Sequence, residues 1–282
     1  MTHRLSTSRI TLHALGLAVV SMSLTCGLKT VEAAELASDA FDYTDGDALN
    51  SQAGGSSWTG PWFAESNVTI QGGTVTIAGA DFMHLMSRPF ASTSDTLYVG
   101  MRLRTAAWDD DFMQLQVSNG ATGNDAATMT VGLDGRNALG FYARIGTSGQ
   151  GSSFSTGATF ADATDYLLVG KFSKEGGANY NRVDFFVNPA GLTEPATPDA
   201  TRDGIDSTLS ELSLFTVRTA LMEGTETIFI DNLRVATSFA AAVPEPSSLL
   251  LAAVAVTGLL GRRRQRRSRV DSDFVDLARP EC

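Results

Sequence analysis

The segment Val68-Thr69-Ile70-Gln71-Gly72-Gly73-Thr74-Val75-Thr76-Ile77 carries the pattern on which the fold depends. Apolar and polar side chains alternate on both sides of Gly72-Gly73, and a period of two places one face of each strand in a core. Two adjacent glycines supply the positive φ values that a two-residue hairpin turn demands. The segment therefore predicts an antiparallel β-hairpin.

The same alternation recurs along most of the chain that follows. It is found in the segments 97–103, 113–117, 129–133, 139–145, 166–172, 182–187, 214–217 and 227–235. No stretch between them keeps a helical period, and Gly, Asn and Asp interrupt the pattern at short intervals. We therefore expect an all-β fold, a two-layer antiparallel β-sandwich or barrel of about ten strands.

Residues 34–239 form one predicted domain, because neither an internal repeat nor a long linker divides them. Two longer loops stand out within it, 146–157, which is rich in Gly and Ser, and 188–206, which is rich in Pro, Thr and Asp. Loops carry function more often than the strands that they connect.

The first 33 residues have the three parts of a secretory signal peptide. Arg4 and Arg9 form a basic start, nineteen uncharged residues from Ile10 to Leu28 form an apolar core, and Val31-Glu32-Ala33 is a small-x-small site. This order is typical of a peptide that export removes. We expect cleavage after Ala33 and a short helix before it.

The remaining body is acidic and free of cysteine. Between Ala34 and Val243, 25 acidic residues stand against 11 basic ones, a net charge of −14, whereas the whole chain has −10. Such a surface argues against a nucleic-acid partner, which needs clustered Lys and Arg. Because Cys26 and Cys282 both lie in segments that processing removes, we expect no disulfide, catalytic thiolate or cysteine metal site.

The C-terminal region combines a turn, an apolar run and a basic cluster. Val243-Pro244-Glu245-Pro246 precedes thirteen uncharged residues from Leu249 to Gly261, and Arg262-Arg263-Arg264-Gln265-Arg266-Arg267 follows them. The prolines stop a helix from extending backwards. The run is shorter than the roughly 20 residues of a full membrane span, and the arginines favour the cytoplasmic side. We expect a short hydrophobic helix that anchors the chain in the membrane.

These three parts together resemble the PEP-CTERM sorting signal of Gram-negative and related bacteria. The resemblance rests on Pro244-Glu245-Pro246 and on Arg262-Arg263-Arg264 beyond the apolar run. It implies that the secretion machinery exports the chain and that an exosortase processes it at the inner membrane, for release to the cell surface or an extracellular matrix. Residues 240–267 then form the signal and 268–282 a polar tail. A plain C-terminal membrane anchor that is never cut remains the alternative.

Several short segments of the body resemble the concanavalin-like or laminin-G-like jelly roll found in PEP-CTERM proteins of planctomycete-type bacteria. They are Ala40-Phe41-Asp42-Tyr43, Gly60-Pro61-Trp62, Leu168-Val169-Gly170-Lys171, Phe186-Val187-Asn188-Pro189 and Phe229-Ile230-Asp231-Asn232-Leu233-Arg234-Val235. The resemblance implies a jelly-roll β-sandwich. It implies no activity, because function depends on the site and not on the fold.

Jelly rolls of this kind often hold a structural Ca²⁺ between the N-terminal segment and an aspartate of the last strand. The resemblance assigns Asp231 to the strand side, with Asp39 or Asp42 on the other. Carboxylate and carbonyl oxygens are the ligands that this ion requires. Asp231 has a simpler interpretation as a turn cap or as a partner of Arg234.

Three tryptophans are the candidate ligand-binding residues. Sugars stack on exposed aromatic rings, and Trp58, Trp62 and Trp108 are the indoles of the body. Trp58-Thr59-Gly60-Pro61-Trp62 has the composition of a loop that presents two indoles on one side. The alternative is that each indole closes the core, because tryptophan buries a large apolar area.

No catalytic residue can be assigned from the sequence. The Glu-x-Asp-x-x-Glu strand of jelly-roll glucanases, which places two carboxylates on one face, is absent. Asp109-Asp110-Asp111 and Glu223-Gly224-Thr225-Glu226 come nearest, and we interpret both as solvated loops. His84 stands without a Gly-x-Ser-x-Gly elbow. We expect a non-enzymatic protein that binds polysaccharide or another surface component. The alternatives are a glycoside hydrolase with an unrecognised carboxylate pair, or a structural matrix subunit.

Overall fold

The computed structural model describes residues 34–79, 83–120, 128–136, 140–146 and 151–244. The predicted signal peptide and all of the predicted sorting signal beyond Pro244 lie outside these ranges. The strands are β1 Glu35–Asp39, β2 Phe63–Ala64, β3 Val68–Gln71, β4 Thr74–Ala78, β5 His84–Thr93, β6 Leu97–Ala106, β7 Phe112–Ser118, β8 Met129–Asp134, β9 Gly140–Ile145, β10 Ser153–Thr159, β11 Tyr166–Ser173, β12 Arg182–Val187, β13 Ala200–Asp203, β14 Leu212–Ala220 and β15 Thr227–Ala236, and the helix is α1 Phe239–Ala242.

These strands form two antiparallel sheets, which confirms the all-β sandwich expected from the alternation. The first sheet has the order β13-β12-β11-β6-β15-β4-β3, with β1 also paired to β15. The second sheet has the order β10-β9-β8-β7-β14-β5-β2. The predicted hairpin is β3–β4, in which Val68 pairs with Ile77 and both turn glycines have positive φ.

A single apolar core fills the space between the sheets. Because side chains alternate along a strand, every second residue of β6 and β7 points inward, including Met101, Leu103, Met113 and Leu115. All four are buried, and they belong to one continuous cluster with the inward residues of the other strands. The residues between them therefore lie on the outer faces of the sandwich.

A second, smaller apolar cluster lies on the outer face of the first sheet. Phe239 of α1 makes edge-to-face contacts with Tyr98 and Phe186, at ring-centroid distances of 6.1 and 5.4 Å. Ala242 and Val243 are buried in the same cluster, so the packing continues past residue 239. Within residues 34–244, less the gaps given above, no helix has the length and apolar character needed to cross a bilayer.

Candidate functional site

The outer face of the second sheet carries polar side chains that are nevertheless buried. They alternate with the core residues of β7, β8, β9 and β14, and each is at most 6% exposed. We call this set the polar face; its members are Gln114, Gln116, Thr130, Tyr142, Arg144, Thr216 and Arg218. Buried polar groups at this density require an account of their hydrogen bonds.

Gln114 is the centre of the polar face. In the amide orientation that satisfies its neighbours, its oxygen accepts hydrogen bonds from Arg144 Nη2 at 2.8 Å and from the Tyr142 hydroxyl at 3.2 Å. In the same orientation its nitrogen lies 2.8 Å from the side-chain amide of Gln116. One amide thus connects strands β7 and β9.

Tyr142 acts as a hydrogen-bond donor on this face. Burial raises its pKa to about 12, although the positive charge of Arg144 opposes the increase. The hydroxyl therefore stays protonated over the whole physiological pH range. Tyr142 and the two arginines give the polar face fixed donors.

Some polar atoms of this face have no hydrogen-bond partner among the described residues. They are Arg144 Nε and Thr216 Oγ1. An unpaired buried donor or acceptor costs about 1–3 kcal/mol, so folded proteins rarely leave several of them together. A ligand rich in hydroxyl groups offers both donors and acceptors to such atoms.

Exposed aromatic rings mark both edges of the same face. Phe63 of β2 is 55% exposed, and it pairs with the outward-facing Ser87. Phe154 of β10 is 43% exposed and lies 5.8 Å from the Tyr142 ring. The two edge strands are six strand spacings apart, or roughly 29 Å at about 4.8 Å per spacing. The face is therefore wide enough for an extended chain molecule that lies across the strands.

Carboxylates are scarce on this face. Among the outward positions of the described strands in the second sheet, Asp134 is the one acidic residue. It is already bound to Arg136, whose Nε and Nη2 lie 3.0 and 2.7 Å from its two oxygens. The described part of the face therefore offers no pair of carboxylates for the acid and base of glycoside hydrolysis.

The structure places two of the three candidate tryptophans in the core. Trp62 is 1% exposed and its indole donates to Asp39 Oδ2 at 2.8 Å, while Trp108 is 6% exposed and packs against Phe160. Neither presents a ring face to a ligand, so the expectation of exposed indoles is wrong for both. Trp58 is half-buried, with the Arg88 guanidinium 5.0 Å from its ring centre.

The three aspartates predicted to bind calcium do not fit the ion as a set. Asp39 is buried, and its Oδ2 accepts from Arg88 at 2.7 Å as well as from Tyr43 and Trp62. Since the guanidinium already neutralises it, Asp39 is unsuited to a cation. Burial raises the pKa of Asp231, and the charge of nearby Asp42 adds slightly to this increase. A groove of about 230 Å³ beside Asp231 is also lined by two arginines, Arg102 and Arg104.

The polar face is not evident from the sequence alone. Gln114 and Gln116 alternate with apolar residues as they would on any wet sheet face, and so do Tyr142 and Arg144. Period-two alternation tells which side chains share a face but not whether that face is covered. The pairing Gln-x-Gln with Tyr-x-Arg on adjacent strands becomes visible only when the register of β7, β8 and β9 is known.

Residues 242–267 match a known family, the PEP-CTERM protein-sorting motif. No curated protein matches the sequence. Among solved structures, the alginate lyase Aly36B in complex with an alginate trisaccharide is similar, with a TM-score of 0.52 and 14% identity over 72% of this chain and 98% of that one. The endo-β-1,3(4)-glucanase SCLam of glycoside hydrolase family 16 gives 0.52 and 11% over 74% and 92%. An endo-acting O-glycanase of the human gut microbiota gives 0.52 and 8% over 73% and 100%.

At these identities the likeness concerns the fold. The chain has the jelly-roll sandwich of carbohydrate-active proteins, as the resemblance of its short segments implied. The sorting motif begins at Ala242, the last residue of α1, and therefore overlaps the end of the folded domain.

Proposed function

We propose that this chain, an exported protein with a PEP-CTERM sorting motif, binds polysaccharide on its polar face and does not cleave it. The observation that carries the proposal is the presence of buried polar atoms without partners on that face, Arg144 Nε and Thr216 Oγ1. Sugars supply hydroxyl groups that both donate and accept, which is what such a mixed set of atoms needs. Phe63 and Phe154 add exposed rings at the two edges.

We expect no hydrolysis because the described part of the polar face lacks a free pair of carboxylates. Glycoside hydrolysis uses an acid and a base or nucleophile roughly 5 to 9.5 Å apart. Asp134 is the one acidic residue at the outward strand positions described for the second sheet, and Arg136 holds both of its oxygens. Solved relatives in fold include enzymes, such as an alginate lyase and a β-glucanase, so the proposal must be tested for cleavage as well as for binding.

The experiment uses the mature protein purified after export, with alginate and a mixed-linkage β-glucan as the two probes and a glycan array for breadth. We expect Arg144→Gln to weaken binding about 10- to 100-fold, because a lost hydrogen bond to a charged group costs about 1.5–3 kcal/mol and each 1.4 kcal/mol is tenfold in Kd. Arg182→Gln on the first sheet is the matched control and should bind like the wild type.

Three outcomes would contradict the proposal. Failure to bind either probe or any arrayed glycan removes polysaccharide binding, provided that circular dichroism shows a folded β-protein. Release of new reducing ends or unsaturated sugars from the probes removes the non-enzymatic part. Binding that persists unchanged in Arg144→Gln would place the ligand on another surface.

A further inference from the structure

Five acidic side chains from two loops meet near one end of the second sheet. Asp109, Asp110 and Asp111 lie between β6 and β7, while Glu223 and Glu226 lie between β14 and β15. One carboxylate oxygen from each of the first three residues and from Glu223 lies within 4.8 Å of the others. We call the five residues the acidic cluster.

Close backbone packing holds the two loops in place. Gly135 and Gly79 lie so near the loops that a Cβ atom on them would come within 2.0 Å of the Asp109 carbonyl and 1.8 Å of the Glu223 carbonyl. Only glycine permits this approach. The backbone positions of the two loops are therefore set by the fold.

Two members of the acidic cluster are buried without a counter-charge. Asp111 is 0% exposed, and neither of its carboxylate oxygens accepts a hydrogen bond from an N–H group or a hydroxyl among the described residues. Glu226 is 2% exposed; its Oε2 accepts from the Glu223 amide, whereas its Oε1 has no donor. None of the five ion pairs found within the described residues includes a member of the cluster. Burying a carboxylate without a counter-charge is strongly unfavourable.

We propose that the acidic cluster is a calcium site of the exported protein. Every side-chain donor is a carboxylate oxygen, which suits a hard divalent cation, and the cluster has neither the histidine nor the cysteine that zinc favours. Asp111 supplies the buried ligand, and the exposed Asp109, Asp110 and Glu223 leave room for water to complete the coordination. Our interpretation of these loops as solvated holds for the exposed residues and is wrong for Asp111 and Glu226.

Terbium luminescence tests the site directly, because Trp108 is the chain neighbour of Asp109. Purified full-length protein titrated with Tb³⁺ should give saturable, tryptophan-sensitised emission from one site, and Ca²⁺ should displace it. Asp111→Asn should weaken binding of both ions at least tenfold. Asp203→Asn, an exposed acid of β13, is the matched control. Trp108→Phe should lose the sensitised emission but keep calcium binding by calorimetry.

Thermal unfolding provides a second readout. A calcium concentration a hundredfold above Kd should raise Tm by about 5 °C or more, and EGTA should reverse the increase. Asp111→Asn should abolish this shift while raising the Tm of the metal-free protein, since it removes a buried charge. If that variant fails to fold, Glu223→Gln at an exposed position serves instead. Absence of stoichiometric binding, or binding unaffected by both variants, would overturn the proposal.

Discussion

Buried carboxylates in this domain differ in what compensates their charge. Asp39 lies against Arg88 at 2.7 Å, with both side chains at most 2% exposed, and it also accepts from the Trp62 indole and the Tyr43 hydroxyl. Removing one partner of such a pair costs about 3–5 kcal/mol, because the other charge stays buried. Asp111 has no such partner among the described residues. The contrast separates a structural ion pair from a buried carboxylate that has no counter-charge among the described residues.

Asp231 provides a prediction at the residue scale. Burial raises its pKa, so the folded state holds the proton more tightly than the unfolded state does. Its contribution to the free energy of unfolding is therefore fully present below the unfolded pKa of about 3.9 and is lost as pH rises through the higher folded value. Asp231→Asn cannot ionise. It should leave stability unchanged at pH 3 and increase it at pH 7, by less than about 1 kcal/mol for this partly exposed group.

Urea unfolding at the two pH values measures this difference, with the exposed Asp203→Asn as the matched control. If Asp231→Asn lowers the free energy of unfolding at pH 7, the ionised carboxylate of Asp231 makes a stabilising interaction in the folded protein. Should that loss appear only with added Ca²⁺, the resemblance-based assignment of Asp231 as a calcium ligand would regain support.

Residue types alone did not predict which tryptophan would be accessible. Trp58 and Trp62 stand four residues apart in a segment with turn composition, yet one is half-buried and the other is 1% exposed. Both indoles donate to distant acceptors, Trp58 to the Ser38 carbonyl and Trp62 to the buried Asp39 carboxylate 23 residues earlier in the chain. Such a long-range partner is outside what local sequence patterns can indicate.

At the scale of elements, the strands missed from the sequence are those that lack a regular apolar face. β10 and β13 lie at sheet edges, and few of their residues are buried. β5 is interior, but Arg88 and Pro89 interrupt its alternation. Proline is tolerated there because the β14 ladder opposite it has a register shift between Leu212 and Leu214. The regular strands were predictable because burial on one face imposes the pattern.

Gly100 gives a prediction for α1. A Cβ atom at this position of β6 would lie 1.9 Å from the Ala242 carbonyl, so Gly100→Ala must push α1 away from the first sheet. We expect the free energy of unfolding to fall by about 1–3 kcal/mol, which is typical of overpacked interiors. Hydrogen exchange should show faster exchange of the Ala242 and Val243 amides, which bond to Ser238 and Phe239 in the wild type. Gly191→Ala, where an added Cβ meets nothing, is the control. Unchanged exchange at both amides would contradict the contact.

For the whole molecule, the sequence identifies the sorting motif but does not identify the function of the folded domain. The alternation predicted which face of each regular strand is buried. The motif at 242–267 was recognisable because its turn, apolar run and arginines are consecutive in the chain. The polar face and the acidic cluster are assembled from strands and loops far apart in the chain. Neither could be read from the sequence, because both depend on sheet order and register.

The junction between domain and motif leads to a prediction about processing. Phe239, Ala242 and Val243 belong to the cluster on the first sheet, so a cut before Val243 would expose that apolar surface. We therefore expect the exported protein to end after Val243 and before Arg262. The measured intact mass should correspond to a chain that lacks Cys282 and keeps α1.

Changing Pro244-Glu245-Pro246 to alanines should leave a chain that still contains Cys282 in the membrane fraction. The same change at Pro280-Glu281, which has similar residues outside the motif, should have no effect; equal processing of both variants would rule out recognition at residues 244–246.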